Sequence, residues 1–277
     1  MKTSVIFTTY NQPKWLEKVL WGFAVQSEKD FEIIVADDGS GEDTREIIEK
    51  FCAANEDIKL KRIWHEDKGY QKFQILNKAI IASEADYLIF TDGDCIPHPD
   101  FVKFHLSLRA ENTFLSGGYF KLPLDISRKI SIQDIKNKDA TRPLWLFKNG
   151  TPFTARILKL SSHPFWGSLL DAMTTTRATW NGHSSSTWKD LVIETNGFDE
   201  RMLYGGQDRE FGERLMNMGV KGKQVRYRCS CVHLDHERGY ASADTRNKNR
   251  AIRNETHKNR TTRTSYGIAE RLSVADS

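Results

Sequence analysis

The chain of 277 residues is poor in cysteine and proline, with four and seven of them, and its net charge is only +4. Its cysteines are too few and too scattered for a disulfide scaffold: Cys52, Cys95, Cys229 and Cys231. No apolar run reaches the ~18 residues of a membrane-spanning helix. The small net charge argues against a dedicated nucleic-acid-binding protein.

The composition is that of a globular protein, with 39% hydrophobic and 28% charged residues. The length suits one large α/β domain or two small ones. Residues 1–7 hold one lysine and a short apolar stretch that soon meets Thr8 and Thr9, so they lack the long apolar segment of a signal peptide. We therefore interpret them as the first strand and expect a cytoplasmic protein.

The basic excess lies near the C-terminus. Between residues 244 and 264, seven basic residues stand against two acidic ones: Arg246, Lys248, Arg250, Arg253, Lys258, Arg260 and Arg263 against Asp244 and Glu255. We interpret residues 241–277 as a basic tail. Three roles are open for it: a solvated helical face, peripheral contact with an anionic membrane, or binding of another anion or of nucleic acid.

Apolar periodicity predicts alternating strands and helices over the first 90 residues. The predicted strands are 2–9, 31–36, 58–64 and 87–90, and the helices between them begin near Asn11, Asp43 and residue 73. Asn11 is expected to cap the first helix and Asp43 the second. Such alternation predicts a mostly parallel sheet with helices on both faces.

Three polar clusters follow predicted strands: Thr8–Asn11, Asp37–Ser40 and Thr91–Asp94. Parallel strands end at one edge of a sheet, and α/β proteins bind ligands there. We therefore expect the clusters to share one rim.

The second half is less regular. Residues 121–187 hold dispersed prolines among aromatic residues, which predicts loops and short helices. A helix is expected after Gly205–Glu210, and a last strand over 223–232.

Asp92 and Asp94 flank a glycine directly after a buried strand. Carboxylates in this position can hold a hard divalent cation, and Gly93 permits a tight turn. The alternative is a strand-end turn with solvated acids.

Asp37 and Asp38 end another strand, where their carboxylates could accept hydrogen bonds from a nucleobase or a ribose. An Asx turn that caps the following helix is the alternative.

Asp208 follows two glycines in the first turn of a predicted helix, where the helix dipole favours the ionised carboxylate. Such a group can act as a general base toward a hydroxyl. Ordinary negative charge at a helix start is the alternative.

A zinc site built from Cys229, Cys231, His233 and His236 is disfavoured. Side chains at i and i+2 of a strand stand roughly 6.5–7 Å apart, too far for two thiolates at ~2.3 Å from one zinc ion. His233 is better placed as a single ligand to an ion held by Asp94, and an ordinary imidazole is the alternative.

The order and spacing of Val5–Asn11, Val35–Ser40 and Phe90–Asp94 resemble the nucleotide-binding half of family-2 inverting glycosyltransferases with the GT-A fold. Asn196–Glu200 followed by Gly205–Asp208 resembles the acceptor-side segment of β-1,4-galactosyltransferases and bacterial chondroitin-type polymerases. The resemblance covers about residues 3–236. It implies residues 1–118 as the nucleotide-sugar-binding half and residues 119–240 as the acceptor-binding half of one domain.

The resemblance also implies roles for single residues. Thr9, Tyr10 and Asn11 would hold the nucleotide base, with Asp37 or Asp38 on the base or ribose. Asn77 would lie near the nucleotide, and Asp92 and Gly93 at the ribose or the metal. Asp94 would bind a Mn²⁺ or Mg²⁺ ion, with His233, or else His236, as the second ligand of that ion. Asp208 would be the catalytic base. Gln207 and Ser184 stand where many relatives have Glu and Asn. These two differences affect the expected identity of the acceptor and not the expected reaction.

The expected function is inverting transfer of a sugar from a nucleotide sugar, expected to be a UDP-sugar, to a glycan or lipid-linked acceptor, as in lipopolysaccharide or capsule synthesis at the inner membrane face. Nucleotidylyl transfer is one alternative, although it would need a glycine-rich loop after the first strand. A non-enzymatic module that binds anions or nucleic acid through residues 244–264 is the other.

Overall fold

A seven-stranded sheet forms the centre of the computed structural model, which describes residues 1–152, 154–160, 164–236 and 243–269. In sheet order its strands are β3 (Lys59–Trp64), β2 (Glu32–Asp37), β1 (Thr3–Thr9), β4 (Tyr87–Asp92), β8 (Ser185–Trp188), β6 (Thr113–Ser116) and β9 (Lys221–Gln224). The first four are parallel, whereas β8 runs antiparallel to both of its neighbours. The mostly parallel sheet predicted from the alternation is thereby confirmed.

A second sheet has three strands within the described residues, in the order β5 (Cys95–Pro97), β10 (Ser230–His233) and β7 (Gly118–Lys121). Strand β10 pairs antiparallel with β5 and parallel with β7, and His233 lies opposite Cys95. This pairing joins the segment after Asp92 to the last strand of the chain.

The helices are α1 (Pro13–Ala24), α2 (Glu42–Ala54), α3 (Lys72–Ala82), α4 (Phe101–Leu108), α5 (Leu124–Lys129), α6 (Ile132–Lys136), α7 (Pro143–Lys148), α8 (Pro164–Met173), α9 (Lys189–Glu194), α10 (Gln207–Asn217) and α11 (Ala243–Lys258). Two short 3₁₀ helices lie at Asp139–Thr141 and Ala155–Leu160. Short helices and loops over residues 121–187 are what the sequence predicted.

The sheet is buried on both faces. Along β4, Tyr87 and Ile89 pack with α1 and α4, whereas Leu88 and Phe90 pack with α3 and α10. All four side chains are at most 2% exposed. The continuous apolar run of β4 follows from this double coverage.

Three local predictions were wrong. The strand expected over 223–232 is split between β9 and β10, because the chain turns at Val225, whose carbonyl accepts from the amides of Arg228 and Cys229. Asn11 does not cap α1: its φ is +47° and its side chain accepts from the amide of Gly41. Asp43 lies inside the first turn of α2.

The basic segment packs on the domain through α11. Asn249 donates to the carbonyls of Leu203 and Gly205 at 2.7 Å each, and Arg253 pairs with Glu213 on α10. Much of its charge remains at the surface, on Arg246, Lys248, Arg250, Lys258 and Arg260. None of the helices in the described ranges is both long and apolar enough to cross a membrane.

A buried ion pair ties α10 to its surroundings. Arg214 and Glu210, with side chains 0% and 2% exposed, bond at 2.9 Å, and Arg214 also donates to the carbonyl of Thr195 at 2.7 Å. The hydroxyl of Thr256 on α11 donates to Glu210 at 2.8 Å. These bonds satisfy both charges inside the domain.

We expect Arg214→Met to lower the free energy of unfolding by about 3–5 kcal/mol, because it leaves the Glu210 carboxylate buried and unpaired. Urea denaturation measures the change. Arg45→Met is the matched control, since the pairs of Arg45 lie on the exposed surface of α2, and its effect should stay within about 1 kcal/mol. Equal stability of the two variants would contradict a structural role for the buried pair.

Candidate active site

The carboxyl ends of β1, β2 and β4 bring the predicted polar clusters to one rim. Thr9 on β1 lies opposite Asp37 on β2, and Thr8 lies opposite Asp92 on β4. At Gly93 the backbone comes so close to β1 that a Cβ atom would lie 2.5 Å from the carbonyl oxygen of Thr8. The structure therefore requires glycine between the two aspartates.

Of the neighbouring pair Asp37 and Asp38, the first has a structural partner. Asp37 is fully buried and pairs with Arg62 at 2.6 Å. Asp38 lies 2.7 Å from Nε2 of His65 and accepts from the amide of Gln71 at 3.0 Å. Burial raises the pKa of Asp38, although the His65 hydrogen bond opposes this shift. Both carboxylates therefore have partners within the protein, and Asp38, which is 5% exposed, is the less buried of the two.

The residues after β1 differ in what they offer. Thr9 is buried, and its hydroxyl has no partner among the described residues. Tyr10 is 46% exposed and donates to Asp67 at 2.9 Å. Asn11 instead links this loop to the next one through Ser40 and Gly41. Tyr10 is therefore accessible to a ligand and Thr9 holds a buried, unpaired hydroxyl group, whereas Asn11 mainly fixes the loop.

Asn77 joins the two halves of the domain. Its side-chain amide donates to the Phe198 carbonyl at 2.9 Å and to Glu200 at 3.0 Å, and its oxygen accepts from the Phe198 amide. It is fully buried. Both of its amide hydrogens are therefore used within the protein, and it positions the segment that precedes Asp208.

Asp94, His233 and His236 converge although they are far apart in sequence. Oδ2 of Asp94 lies 2.9 Å from Nε2 of His236 and 3.6 Å from Nε2 of His233. Burial opposes ionisation of Asp94, but the His236 hydrogen bond and the charge of His233 outweigh it and lower its pKa to about 2. One carboxylate and two imidazoles thus face a common point.

Cys95 also borders this cluster and was not among the sequence candidates. Potential ligand atoms of Asp94, Cys95 and His233 lie within 4.8 Å of one another. Burial raises the pKa of the Cys95 thiol well above its ordinary value, so it is neutral. The pairing of β5 with β10 places Cys95 opposite His233. The spacing of residues in the sequence does not predict this contact.

Lys72, also missed by sequence reasoning, pairs with Asp92 at 2.8 Å. Both side chains are mostly buried, with 20% and 24% exposure. Burial disfavours the lysine charge, but Asp92, Tyr70 and Asp208 outweigh it and raise the pKa of Lys72 well above its ordinary value. Lys72 therefore neutralises one of the acids at the rim.

Asp208 enters the same region from the first turn of α10. Gly205 and Gly206, with φ of +111° and +83°, form the turn before the helix. A Cβ atom on Gly182 would lie 3.2 Å from one Asp208 oxygen and 3.4 Å from Oδ2 of Asp92, so both carboxylates border this glycine. Asp92 and Asp208 thus lie on one wall of the site.

The pKa of Asp208 differs from the sequence expectation. Burial raises it to about 6, while the charge of Lys72 lowers it and that of Asp92 raises it. Desolvation therefore outweighs the helix dipole that favours the ionised form. A carboxyl group that titrates near neutral pH can accept a proton and release it again.

A cavity of about 380 Å³ opens beside Asp92 and Asp208. It is lined by the β6–β7 turn, residues 176–183, the start of α10 and the end of β9. His183 on its wall stays neutral, since burial lowers its pKa to about 3. The cavity therefore leaves room for a ligand beside Asp208.

Part of the chain matches a known protein family. Residues 4–117 match the family model described as Glycosyl transferase family 2. Chondroitin synthase of Escherichia coli is 28% identical over 247 residues, which are 80% of this chain and 33% of the synthase. Validoxylamine A glucosyltransferase of Streptomyces hygroscopicus is 30% identical over 109 residues, 39% of this chain and 25% of that enzyme. The chain thus spans a third or less of the length of these relatives.

Solved structures share the fold. TarS of Staphylococcus aureus (residues 1–349), in complex with UDP-GlcNAc, aligns with a TM-score of 0.63 at 18% identity and covers 91% of this chain and 65% of that one. The mannosyltransferase PcManGT of Pyrobaculum calidifontis, in complex with GDP-Man and Mn²⁺, aligns with a TM-score of 0.59 at 18% identity, over 86% and 58% of the two chains. The chain therefore matches the family-2 glycosyltransferases over residues 4–117 and shares the GT-A fold of these two solved structures.

Proposed function

We propose that the protein transfers a sugar, with inversion at the anomeric carbon, from a nucleotide sugar to a hydroxyl group of a glycan or lipid-linked acceptor. The observation that carries this proposal is Asp208, a carboxyl group with a pKa of about 6 on the wall of a cavity beside the strand-end acids. The match of residues 4–117 to the family-2 model and the sugar-nucleotide complexes of proteins with the same fold support it.

In the proposed reaction, Asp208 accepts the proton of the acceptor hydroxyl while that oxygen attacks the anomeric carbon. The cavity orients the acceptor toward the donor, an effect that can be worth several kcal/mol. Asp92 is already paired with Lys72. We therefore assign the role of the base to Asp208. A single displacement of the nucleotide by the acceptor oxygen, assisted by one base, inverts the configuration of the anomeric carbon.

We propose that Asp38, Thr9 and Tyr10 contact the nucleotide, and that Asp94, His233 and His236 hold a divalent cation. Their carboxylate and imidazole ligand atoms fit a transition metal such as Mn²⁺ better than Mg²⁺, which prefers oxygen ligands. When bound, the cation would stabilise the negative charge of the leaving diphosphate. The Mn²⁺ in the PcManGT complex supports this proposal.

UDP is the proposed nucleotide, which the UDP-GlcNAc complex of TarS supports.

A cytoplasmic location and a part in lipopolysaccharide or capsule synthesis stay predictions from the resemblance. Contact with an anionic membrane through the exposed basic side chains of α11 is likewise a proposal. Nucleotidylyl transfer is less well supported, because the loop Tyr10–Gln12 after β1 contains no glycine.

Asp208→Asn should reduce turnover by at least ~10²-fold, because the amide cannot accept the proton. UDP binding should be unchanged, since the proposed nucleotide contacts lie elsewhere. Release of UDP from a panel of UDP-sugars with Mn²⁺ measures turnover without an acceptor. Asp190→Asn is the matched control, an exposed acid in the first turn of α9. Near-normal turnover of Asp208→Asn would refute the assignment of the base.

The pH dependence of kcat/KM should show an acidic limb near pH 6. Asp208 has to be ionised to act as a base, so the rate should fall about tenfold per pH unit as the pH drops below its pKa of about 6. A pH–rate profile from pH 4.5 to 8.5 measures this limb. The residual activity of Asp208→Asn should lack it, and a limb that persists in this variant would show that another group titrates.

Asp94→Ala should abolish Mn²⁺-dependent UDP binding, because it removes the only carboxylate that faces both His233 and His236 in the described part of the chain. Calorimetric titration of UDP with and without Mn²⁺ measures the loss. Asp235→Ala is the control, since Asp235 lies close in sequence but pairs with Lys121 at 2.9 Å. Unchanged titrations of Asp94→Ala would rule out the metal site.

A further inference from the structure

Three arginines, Arg177, Arg209 and Arg226, line the 380 Å³ cavity beside Asp208. Within the described residues, none of them lies within 4.0 Å of a carboxylate oxygen. The nearby Asp171 is not available to them, because it pairs with Arg228 at 2.7 Å. Arg177 and Arg209 are exposed and Arg226 is half-buried, so the cavity is bordered by basic residues that form no ion pair within the described residues.

The two acids of the cavity do not balance this charge. Asp92 is paired with Lys72, and Asp208 is partly protonated near neutral pH. The remaining titratable groups on the wall are His183, which is neutral, and Tyr119. The cavity is thus positive in net charge.

Two buried polar atoms on the same wall lack partners. Nε of Arg226 finds no acceptor and Oε1 of Gln224 finds no donor among the described residues. Arg226 is fixed in place by a hydrogen bond to the Thr176 hydroxyl, and Gln224 by one to the carbonyl of Arg177. Buried polar groups are nearly always hydrogen-bonded, and leaving them unpaired costs free energy. Arg226 and Gln224 thus each keep one unused polar atom, and both residues line the cavity.

The residues that line the cavity are not the proposed metal ligands. Asp94, His233 and His236 do not line the cavity, whereas Tyr119 and His183 do. The Tyr119 ring contacts His183 at 4.3 Å and His233 at 5.6 Å between centroids, so it lies between a residue of the cavity wall and a proposed metal ligand.

We propose that Arg177, Arg209 and Arg226 form an anion-recognition subsite for the acceptor, so that the acceptor is an acidic sugar bearing a carboxylate or a phosphate. The inference rests on the proposed glycosyl transfer and specifies its acceptor. Guanidinium groups bind both anions through paired, charge-assisted hydrogen bonds. Asp208 on the same wall would then face a hydroxyl group of the same sugar.

The test measures binding of small probes to the unmodified chain saturated with UDP and Mn²⁺. The anionic probes are methyl β-D-glucuronide and glucose 6-phosphate, and methyl β-D-glucoside is their neutral match. Calorimetry should show binding of at least one anionic probe about tenfold tighter than the neutral one, equivalent to about 1.4 kcal/mol. Which anionic probe prevails distinguishes a carboxylate from a phosphate.

Arg226→Gln and Arg177→Gln should each abolish this preference and leave UDP affinity unchanged. Arg250→Gln, on the exposed face of α11, is the matched control and should retain the preference. Equal binding of charged and neutral probes would overturn the proposal. Loss of UDP affinity in Arg226→Gln would also overturn it, because the arginines would then serve the donor.

A failure of the proposed function has a different signature. If the unmodified chain binds no UDP with Mn²⁺, the donor part of the function fails. The same titrations without nucleotide then decide the subsite: an arginine-dependent preference for an anionic probe supports it, and no preference overturns it.

Discussion

The site depends on the ion pair between Lys72 and Asp92. Two carboxyl groups, Asp92 and Asp208, border Gly182 in a largely desolvated region, where two negative charges would repel each other. Lys72 at the start of α3 neutralises Asp92 and limits the rise in the pKa of Asp208. The pair therefore offsets the charge of Asp92 beside Asp208, whose pKa is about 6.

The fold builds this arrangement by joining distant segments at one rim. The parallel register of β1 with β2 and β4 aligns the strand ends, and Asn77 ties α3 to the segment around Phe198 that leads to α10. The small sheet brings β10 beside β5 and so sets His233 near Asp94. The C-terminal helix α11 then holds α10 through Asn249 and Arg253. The basic segment is thus part of the scaffold behind Asp208.

Much of the architecture could be predicted from residue patterns. The apolar runs of β1, β2 and β4 are long enough to predict a parallel sheet that is covered on both faces. The polar clusters after these strands predict a ligand-binding rim. The short strands were missed: β8 (Ser185–Trp188) has no apolar run, because its buried hydroxyl groups are satisfied by partners from other elements, such as Tyr87 and His105. The division of 223–232 into two strands likewise depends on which sheet each part joins.

For the site, residue patterns alone indicated which side chains are candidates. Asp92 and Asp94 follow the end of a strand and Asp208 follows a glycine turn, and these are local features of the sequence. The partners of these groups became visible in the folded chain: Asp37 pairs with Arg62, Lys72 pairs with Asp92, and three arginines line a cavity with Asp208. The pairing and desolvation of a side chain depend on neighbours that are distant in the sequence. A local pattern of residues contains no information on such contacts.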